Sequence, residues 1–204
     1  ERDTRGAPVQ AARDVVWLVE QLRVRVLLCS PSADAAMAVR ALSARLGVVV
    51  VTPMATADAV PGDNDWIYRV GYTNTAMATA LARFQVEKYG AQRTAILYDP
   101  RHAFSQELAN LFERIFEERG GKVLAKLPFA EKCGGFDFAA PFAELAAARP
   151  DFIFAPCHAL EATDTVPAAP AGGIGVRLCG PGTWDHSQGV DASGSAPSGT
   201  AFSR

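Results

Sequence analysis

Short apolar runs and helix-like segments alternate along most of the chain. The runs are rich in valine, isoleucine, leucine and phenylalanine, and between them apolar residues recur at every third or fourth position. Strand-like runs occupy residues 24–29, 48–52, 67–73, 93–99, 122–129, 151–157 and 176–180. Helical patterns occupy residues 8–22, 32–47, 74–90, 105–121 and 136–150. Strands that alternate with helices through short loops predict parallel sheets covered by helices, so the fold class is α/β.

The helical pattern weakens in residues 159–175, which occupy the position of a sixth helix. Pro167 and Pro170 lie inside this segment. Each proline removes a backbone N–H and crowds the preceding turn, so we expect the helix to be broken or shortened there. From about residue 187 the chain is rich in glycine, serine and alanine. This composition predicts an irregular tail, in which a short strand could form at the end.

The strand–helix rhythm restarts near residues 66–75, after a polar loop. The length of 204 residues suits one large domain or two small ones. The restart therefore predicts a two-part organisation with its boundary in this region.

Composition and charge exclude several classes of protein. The net charge is −2, and lysine and arginine are scattered along the chain, so a nucleic-acid-binding surface is not expected. No apolar run approaches the length of about 18 residues that a membrane span needs. The chain begins "ERDTRGAPVQ", without a methionine or a leader pattern, so its start says little about compartment.

The four cysteines do not form a metal-binding or redox motif. None is part of a CxxC pair, and a zinc site is improbable at their spacing. We expect buried free thiols, with one disulfide as the alternative if the protein is exported. The cysteines are Cys29, Cys133, Cys157 and Cys179.

Binding groups of a parallel sheet gather where its strands end. Ligands of such folds bind outside the carboxyl ends of the strands. The segments that follow predicted strands are residues 29–30, 52–56, 99–105, 156–158 and 180–185. Among them, Ser30 and Ser32 could simply cap a helix, or could bind a carboxylate or phosphate at its N-terminus.

No catalytic arrangement stands out in the sequence. It contains no P-loop, no GxGxxG fingerprint and no GxSxG elbow. Asp185, His186 and Ser187 are consecutive, and adjacent residues do not form a nucleophile–base chain by proximity alone. A single histidine after a strand, such as His158, is more often structural than functional. The residues therefore favour binding over catalysis, and we expect no enzyme activity, metal or cofactor.

An ordered series of segments resembles a known family. The segments "VRVLLCSPSADAAMAV", "LGVVVVTPMATADAV", "IYRVGYTNTAMATALARFQVEKYGAQRTAILYD" and "VRLCGPGTWD" follow one another as they do in type I periplasmic binding proteins. The resemblance is to the Leu/Ile/Val-binding subgroup, the substrate-binding components of ABC importers, and runs from about residue 3 to 186. It implies two Rossmann-like lobes hinged around a ligand cleft. Residues 1–72 would form part of lobe one, without its first strand and C-terminal return, and residues 73–204 would form lobe two.

The resemblance also implies a set of ligand-binding positions. Ser30 would contact the ligand carboxylate, the segment after the second strand would hold its polar groups, and aromatic residues of lobe two would close over it. An acidic residue that holds the ligand ammonium in amino-acid binders is replaced here by Gly182, with Asp185 nearby. The complete set is Ser30, Met54, Ala55, Thr56, Phe104, Ser105, His158, Gly182 and Asp185.

The function implied by the resemblance is capture of a small carboxylate-bearing ligand outside the cytoplasm. The ligand would be similar to a branched-chain amino acid, or an aromatic or aliphatic acid that lacks an amine. The partners would be this ligand and the membrane permease of an ABC importer, with no nucleic acid. The protein would be periplasmic, or extracellular and membrane-anchored. The alternative is a ligand-sensing domain of a receptor or an amide-type regulator with the same fold.

Overall fold

The structure is a computed structural model that describes residues 1–5, 7–132, 135–173, 175–184 and 201–202. The chain forms two compact units, Glu1–Asn74 (unit 1) and Thr75–Arg204 (unit 2). Both units consist of parallel sheets with helices, so the prediction of an α/β fold is confirmed.

Unit 1 contains a three-stranded parallel sheet. The strand order is β1–β2–β3, with Leu28 of β1 opposite Val51 of β2, and Thr52 of β2 opposite Arg69 of β3. Because all three strands run in the same direction, their carboxyl ends lie along one edge of the sheet. The elements are α1 Pro8–Leu22, β1 Val26–Leu28, α2 Ala33–Leu46, β2 Val49–Thr52 and β3 Ile67–Arg69.

The ends of α2 follow from its capping residues. Ser32 is the N-cap, and its hydroxyl accepts a hydrogen bond from the backbone N–H of Ala35 at 3.3 Å. Gly47 ends the helix in the left-handed conformation, with φ of 61°, which glycine adopts without a steric penalty. Both capping predictions are confirmed. This start of α2 fixes the turn that carries Ser30.

Unit 2 contains a five-stranded parallel sheet. Its strand order is β10–β9–β8–β4–β5, and a separate antiparallel hairpin pairs β6 with β7. The helices are α3 Asn74–Tyr89, α4 Ala103–Glu118, α5 Ala139–Ala147 and α6 Ala159–Ala171, followed by a short 3-10 helix, Gly182–Trp184. The strands are β4 Arg93–Tyr98, β5 Lys122–Pro128, β6 Ala130–Lys132, β7 Gly135–Asp137, β8 Phe152–Phe154, β9 Arg177–Gly180 and β10 Ala201–Phe202.

Phenylalanine packing holds α4 against the sheet. Phe112 stacks on Phe154 with ring centroids 3.9 Å apart, and Phe116 meets Phe152 edge to face at 5.6 Å. All four rings are buried. Burial of one such side chain contributes about 1.5–3 kcal/mol, so the predicted apolar stripe of α4 fixes this helix over β8. The N-terminus of α4 is thereby set at the carboxyl end of β4.

Residues 159–175 depart from the sequence prediction. The helix was expected to be broken or shortened at Pro167 and Pro170. The break is wrong, because α6 continues through both prolines, but the helix is shorter than the segment and ends at Ala171. The two proline side chains lie on the exposed side of the helix. The opposite side buries Ala162, Val166 and Ala169 in the unit 2 core. This apolar packing offsets the lost hydrogen bonds and keeps the segment helical.

Two further features were missed or only partly predicted. The predicted helix over 136–150 begins at Ala139, and the residues before it form the second strand of the β6–β7 hairpin. The short strand expected near the chain end is confirmed as β10, which pairs in parallel with β9. The rest of the predicted irregular tail lies outside the described residues, apart from this strand.

Cys29, Cys157 and Cys179 are free, as predicted. Burial raises the pKa of all three thiols, that of Cys179 to about 12, so they are protonated near neutral pH. Cys133 lies outside the described residues. Among the helices that the structure describes, none is both long enough and apolar enough to cross a membrane.

Candidate functional site

The loops after β1 and β2 of unit 1 are joined through the Thr52 hydroxyl. This buried hydroxyl donates to the carbonyl of Ser30 at 3.4 Å and accepts from the backbone N–H of Ala55 at 3.3 Å. The hydroxyl of Ser30 in turn accepts from the N–H of Ser32 at 3.2 Å. Thr52 therefore positions both predicted binding segments of unit 1 at the same edge of the sheet.

Residues 54–56 present different groups at this edge. The Met54 side chain is 60% exposed, whereas the Ala55 methyl group is completely buried. Thr56 is half-buried, and its carbonyl accepts from the backbone N–H of Asn74 at 2.8 Å. This hydrogen bond fixes the backbone at Thr56. The polar groups of residues 54–56 are the Thr56 hydroxyl and the backbone N–H and carbonyl groups.

Arg69 adds a positive charge to the same edge. It ends β3, and its Nη1 donates to the carbonyls of Ala57 at 2.8 Å and Thr56 at 3.4 Å. The guanidinium therefore lies against the loop that carries Thr56. The sequence analysis did not identify Arg69, because the strand was predicted over residues 67–73 and Arg69 lies inside that range, whereas β3 ends at Arg69.

In unit 2, Ser105 connects the ends of β4 and β8. Its hydroxyl accepts from the backbone N–H of Asp99 at 2.9 Å and donates to the carbonyl of Pro156. Ser105 is completely buried. The buried hydroxyl therefore connects the two loops that follow β4 and β8. A direct contact between Ser105 and a ligand stays a prediction.

The aromatic residues predicted for unit 2 lie together. The imidazole of His158 stacks on the ring of Phe104, with centroids 4.8 Å apart and an interplanar angle of 22°. The ring of His102 meets His158 edge to face at 5.4 Å. Phe104 is 5% exposed, whereas His158 and His102 are half-buried. Phe104 therefore supports the His158 ring from the unit 2 interior.

Asp99 is ionised and paired with Arg101. Its Oδ1 accepts from the N–H of Arg101 at 2.8 Å and from Nε at 2.9 Å, and its Oδ2 accepts from Nη2 at 2.6 Å. Burial raises the pKa of this carboxyl, but the hydrogen bonds and the charge of Arg101 lower it by more. The net pKa is therefore below its usual value. Arg101 also pairs with Glu131.

Three potential metal ligands converge beside this pair. One ligand atom each of Asp99, His102 and Glu161 lies within 4.8 Å of the others. Glu161 belongs to the first turn of α6 and is buried. Its Oε2 accepts no hydrogen bond within the described part of the chain. The sequence analysis missed Glu161, because nothing in the local sequence shows that this turn faces the end of β4.

The last two predicted positions follow β9. Gly182 begins the 3-10 helix, and the neighbouring Thr183 hydroxyl donates to the carbonyl of Cys157 at 2.9 Å. This bond ties the segment to the end of β8. Asp185 lies outside the described residues.

The comparisons with known proteins agree with this fold of helices on parallel sheets. The chain matches the sequence profile of the family described as "Periplasmic binding protein" over residues 1–202. The chain therefore belongs to the periplasmic binding protein family, and its resemblance to the type I periplasmic binding proteins is confirmed. No curated protein sequence matches the chain significantly.

Solved structures share the fold at low sequence identity. A leucine-binding protein of Thermotoga maritima superimposes with a TM-score of 0.90 at 23% identity, covering 98% of this chain and 56% of that protein. A branched-chain amino acid transporter substrate-binding protein of Streptococcus pneumoniae, in complex with isoleucine, gives 0.84 at 21% identity, with 94% and 54% covered.

A third structure is a solute-binding protein of an ABC transporter from R. palustris, in complex with benzoate. It superimposes with a TM-score of 0.82 at 22% identity, covering 95% of this chain and 53% of that protein. The chain thus spans little more than half the length of these three proteins.

Proposed function

We propose that the protein is an extracytoplasmic solute-binding protein that captures a small carboxylate-bearing ligand for import by an ABC transporter. Units 1 and 2 would correspond to parts of the two lobes that close over a ligand in this family. The observation that carries the proposal is the edge of unit 1, where the Thr52 hydroxyl joins the Ser30 and Ala55 loops. A guanidinium, that of Arg69, lies against the same loops.

This edge of unit 1 suits a carboxylate by charge and by hydrogen-bonding chemistry. Ser30 and Thr56 bring hydroxyl groups that can donate to an anionic oxygen. A hydrogen bond to a charged group contributes about 1.5–3 kcal/mol, roughly twice as much as a neutral one. Arg69 raises the local positive potential at this edge, where its guanidinium donates to the carbonyls of Thr56 and Ala57.

The ring pair of unit 2 favours a ligand with a planar or branched apolar part. His158 presents an imidazole that Phe104 holds in place by stacking. In this proposal, His158 contacts the apolar part of the ligand and Met54 packs on it from its exposed position. Ala55, Ser105 and Gly182 shape and brace the surrounding loops, and Asp185 stays a predicted contact.

The ligands of structural neighbours suggest which compounds to test. Four of the compounds bound in neighbouring structures are leucine, isoleucine, benzoate and 4-hydroxybenzoate. All four compounds carry a carboxylate, but only the amino acids carry an ammonium group. Because Gly182 occupies the position where an acidic residue is expected for ammonium, we favour an acid without an amine, such as a benzoate.

Isothermal titration of these four compounds tests the proposal. We expect at least one of them to bind. Ser30→Ala combined with Thr56→Ala, and separately Arg69→Gln, should then weaken binding by about 1.5–3 kcal/mol, or roughly 10- to 150-fold. Ser32→Ala is the matched control, because the Ser32 hydroxyl only caps α2 and its loss should change stability by about 1 kcal/mol but not affinity.

Two outcomes would contradict the proposal. The carboxylate assignment fails if the double variant and Arg69→Gln both bind the ligand as tightly as the unchanged protein. The import function fails if a strain that lacks the protein takes up the bound compound at the normal rate.

A further inference from the structure

Glu161 is a buried acidic residue that has no role in the proposed binding of a carboxylate ligand. It is 7% exposed and lies in the first turn of α6. Its Oε2 accepts no hydrogen bond from the residues that the structure describes. Buried carboxylates are normally paired, hydrogen-bonded or coordinated to a metal ion. We therefore expect a cation to bind the carboxylate of Glu161.

Arg101 is already engaged by other carboxylates among the described residues. Its side chain donates to both oxygens of Asp99. It is also shared with Glu131. Asp99 and Glu161 are both buried, and one oxygen of each lies within 4.8 Å of the other. Two buried carboxyl groups this close together are stabilised in their charged forms by a cation bound between them.

We propose that Asp99, His102 and Glu161 bind a divalent transition-metal ion of the Zn²⁺ type. The three side chains come from different elements: the end of β4, the residue before α4 and the first turn of α6. One ligand atom of each lies within 4.8 Å of the others. Two carboxylates and one imidazole form a donor set that suits Zn²⁺ and similar ions, with further positions left for water.

The ligand atoms need only a limited contraction to reach metal-binding distances. With Zn–N and Zn–O bonds of about 2.0–2.2 Å, neighbouring ligands of a tetrahedral site are about 3.3 Å apart. His102 Nε2 is 3.9 Å from Asp99 Oδ2, and the side chain of His102 is 39% exposed. Rotation of this half-exposed ring can therefore close the distance without disturbing the core.

The Arg101 pair is compatible with the metal ion. Each oxygen of an ionised carboxylate has two lone pairs, so Asp99 can bind Arg101 and a metal ion at the same time. Arg101 would then act as an outer partner that orients the ligand carboxylate, as hydrogen-bonded partners commonly do around metal ligands. The sequence analysis expected no metal because the spacing of the cysteines is not that of a zinc site, and it did not consider Asp99, His102 and Glu161 together.

Titration of the EDTA-treated and dialysed protein with Zn²⁺ tests this site in the absence of any organic ligand. We expect one Zn²⁺ per chain. Glu161→Gln and His102→Gln should each weaken Zn²⁺ binding at least about tenfold. The matched control is Glu144→Gln, which makes the same charge change at an exposed position of α5 and should leave Zn²⁺ affinity unchanged.

Cobalt absorption distinguishes this site from binding at the free thiols. Co²⁺ at the proposed site should give ligand-field bands without thiolate-to-cobalt charge transfer, because no cysteine belongs to the set. A charge-transfer band, or no Zn²⁺ binding at all, overturns the proposal. Full Zn²⁺ affinity in both Glu161→Gln and His102→Gln overturns it equally.

Thermal unfolding in EDTA separates loss of a ligand from loss of the fold. The variants should unfold at or above the temperature of the unchanged protein in EDTA, and only the unchanged protein and Glu144→Gln should gain stability from Zn²⁺. If Glu161→Gln does not fold, His102→Gln decides the outcome because His102 is half-exposed. Since the Zn²⁺ titration of the dialysed protein contains no candidate carboxylate ligand, its result is independent of the proposed carboxylate-binding function.

Discussion

The imidazole of His158 lies nearly parallel to the ring of Phe104, with centroids 4.8 Å apart and an interplanar angle of 22°. Phe104 belongs to the first turn of α4, and His158 precedes α6. The stack therefore connects the starts of two helices that follow β4 and β8. It holds together the part of unit 2 that was predicted to contact a ligand.

We expect the Phe104–His158 stack to contribute a measurable coupling energy. Urea unfolding of Phe104→Leu, His158→Ala and the double variant should give a coupling of about 0.5–1.5 kcal/mol, the usual range for such ring pairs. Phe84 and Tyr89, an edge-to-face pair on α3, provide a comparison pair at a more exposed position. Additive effects of Phe104→Leu and His158→Ala would show that the two rings act independently.

Asp151 should make folding stability depend on pH. Its Oδ2 accepts from the backbone N–H groups of Gln92 at 2.9 Å and Arg93 at 2.8 Å, and its Oδ1 from Arg93 Nη2 at 3.1 Å. Burial raises the pKa of this carboxyl, but these bonds and the charge of Arg93 lower it more, so the net pKa is below its usual value. The folded state therefore binds the proton less readily than the unfolded chain.

The lowered pKa of Asp151 in the folded state determines the expected result for Asp151→Asn. The unchanged protein should be more stable than Asp151→Asn above about pH 4, the usual range of an unfolded aspartate. The difference in the free energy of unfolding should shrink as the pH falls through the lower, folded-state pKa. Glu144→Gln is the control variant, because it shows how far the free energy of unfolding changes when one negative charge is removed at an exposed position. A difference between Asp151→Asn and the unchanged protein that is constant from pH 7 to about pH 2 would contradict this assignment.

Local sequence was sufficient to predict the elements that depend on local interactions. Ser32 and Gly47 were identified as the ends of α2 because capping needs only nearby backbone groups. The stripe of α4 was identified because its apolar residues recur with the helical period. Parallel strand order placed the Ser30 and Thr56 segments at one edge in unit 1, which follows from the direction of the strands alone.

Features that depend on distant residues were not predictable in this way. Glu161 is recognisable as a site residue only because α6 begins beside the end of β4, and Arg69 only because β3 pairs beside β2. The break expected in α6 was wrong because helix propensity takes no account of the core contact made by Val166. The β6–β7 hairpin was missed although Gly134 and Gly135 in the sequence are a turn signal.

Gly180 should be intolerant of any side chain. A Cβ added to it would overlap the ring atoms Cδ2 and Cε2 of the buried Trp184. Gly180→Ala should therefore destabilise the protein by about 1–3 kcal/mol through overpacking, and should change Trp184 fluorescence. Gly175→Ala is the control, because a Cβ there meets no atom within 4 Å. Equal unfolding midpoints for Gly180→Ala and Gly175→Ala would rule out the steric constraint.

The prolines of α6 should lower the free energy of unfolding, and replacing them with alanine should raise it. Pro167 lies in the helix interior, where it removes a hydrogen bond to the carbonyl four residues earlier, at a typical cost of about 3 kcal/mol relative to alanine. Part of this cost is offset because proline restricts the unfolded chain, by about 0.4–1 kcal/mol. We therefore expect Pro167→Ala to raise the free energy of unfolding by about 2 kcal/mol.

Pro170 provides the internal comparison for this prediction. It lies in the last turn of α6, just before Ala171 and the cap at Gly172, where a helix is more easily adjusted. Pro170→Ala should therefore stabilise the protein less than Pro167→Ala does, as measured by urea unfolding at constant pH. If Pro167→Ala destabilises the protein, the proline ring itself must contribute packing that its exposed position does not indicate, and the explanation given for the continuous helix would have to be abandoned.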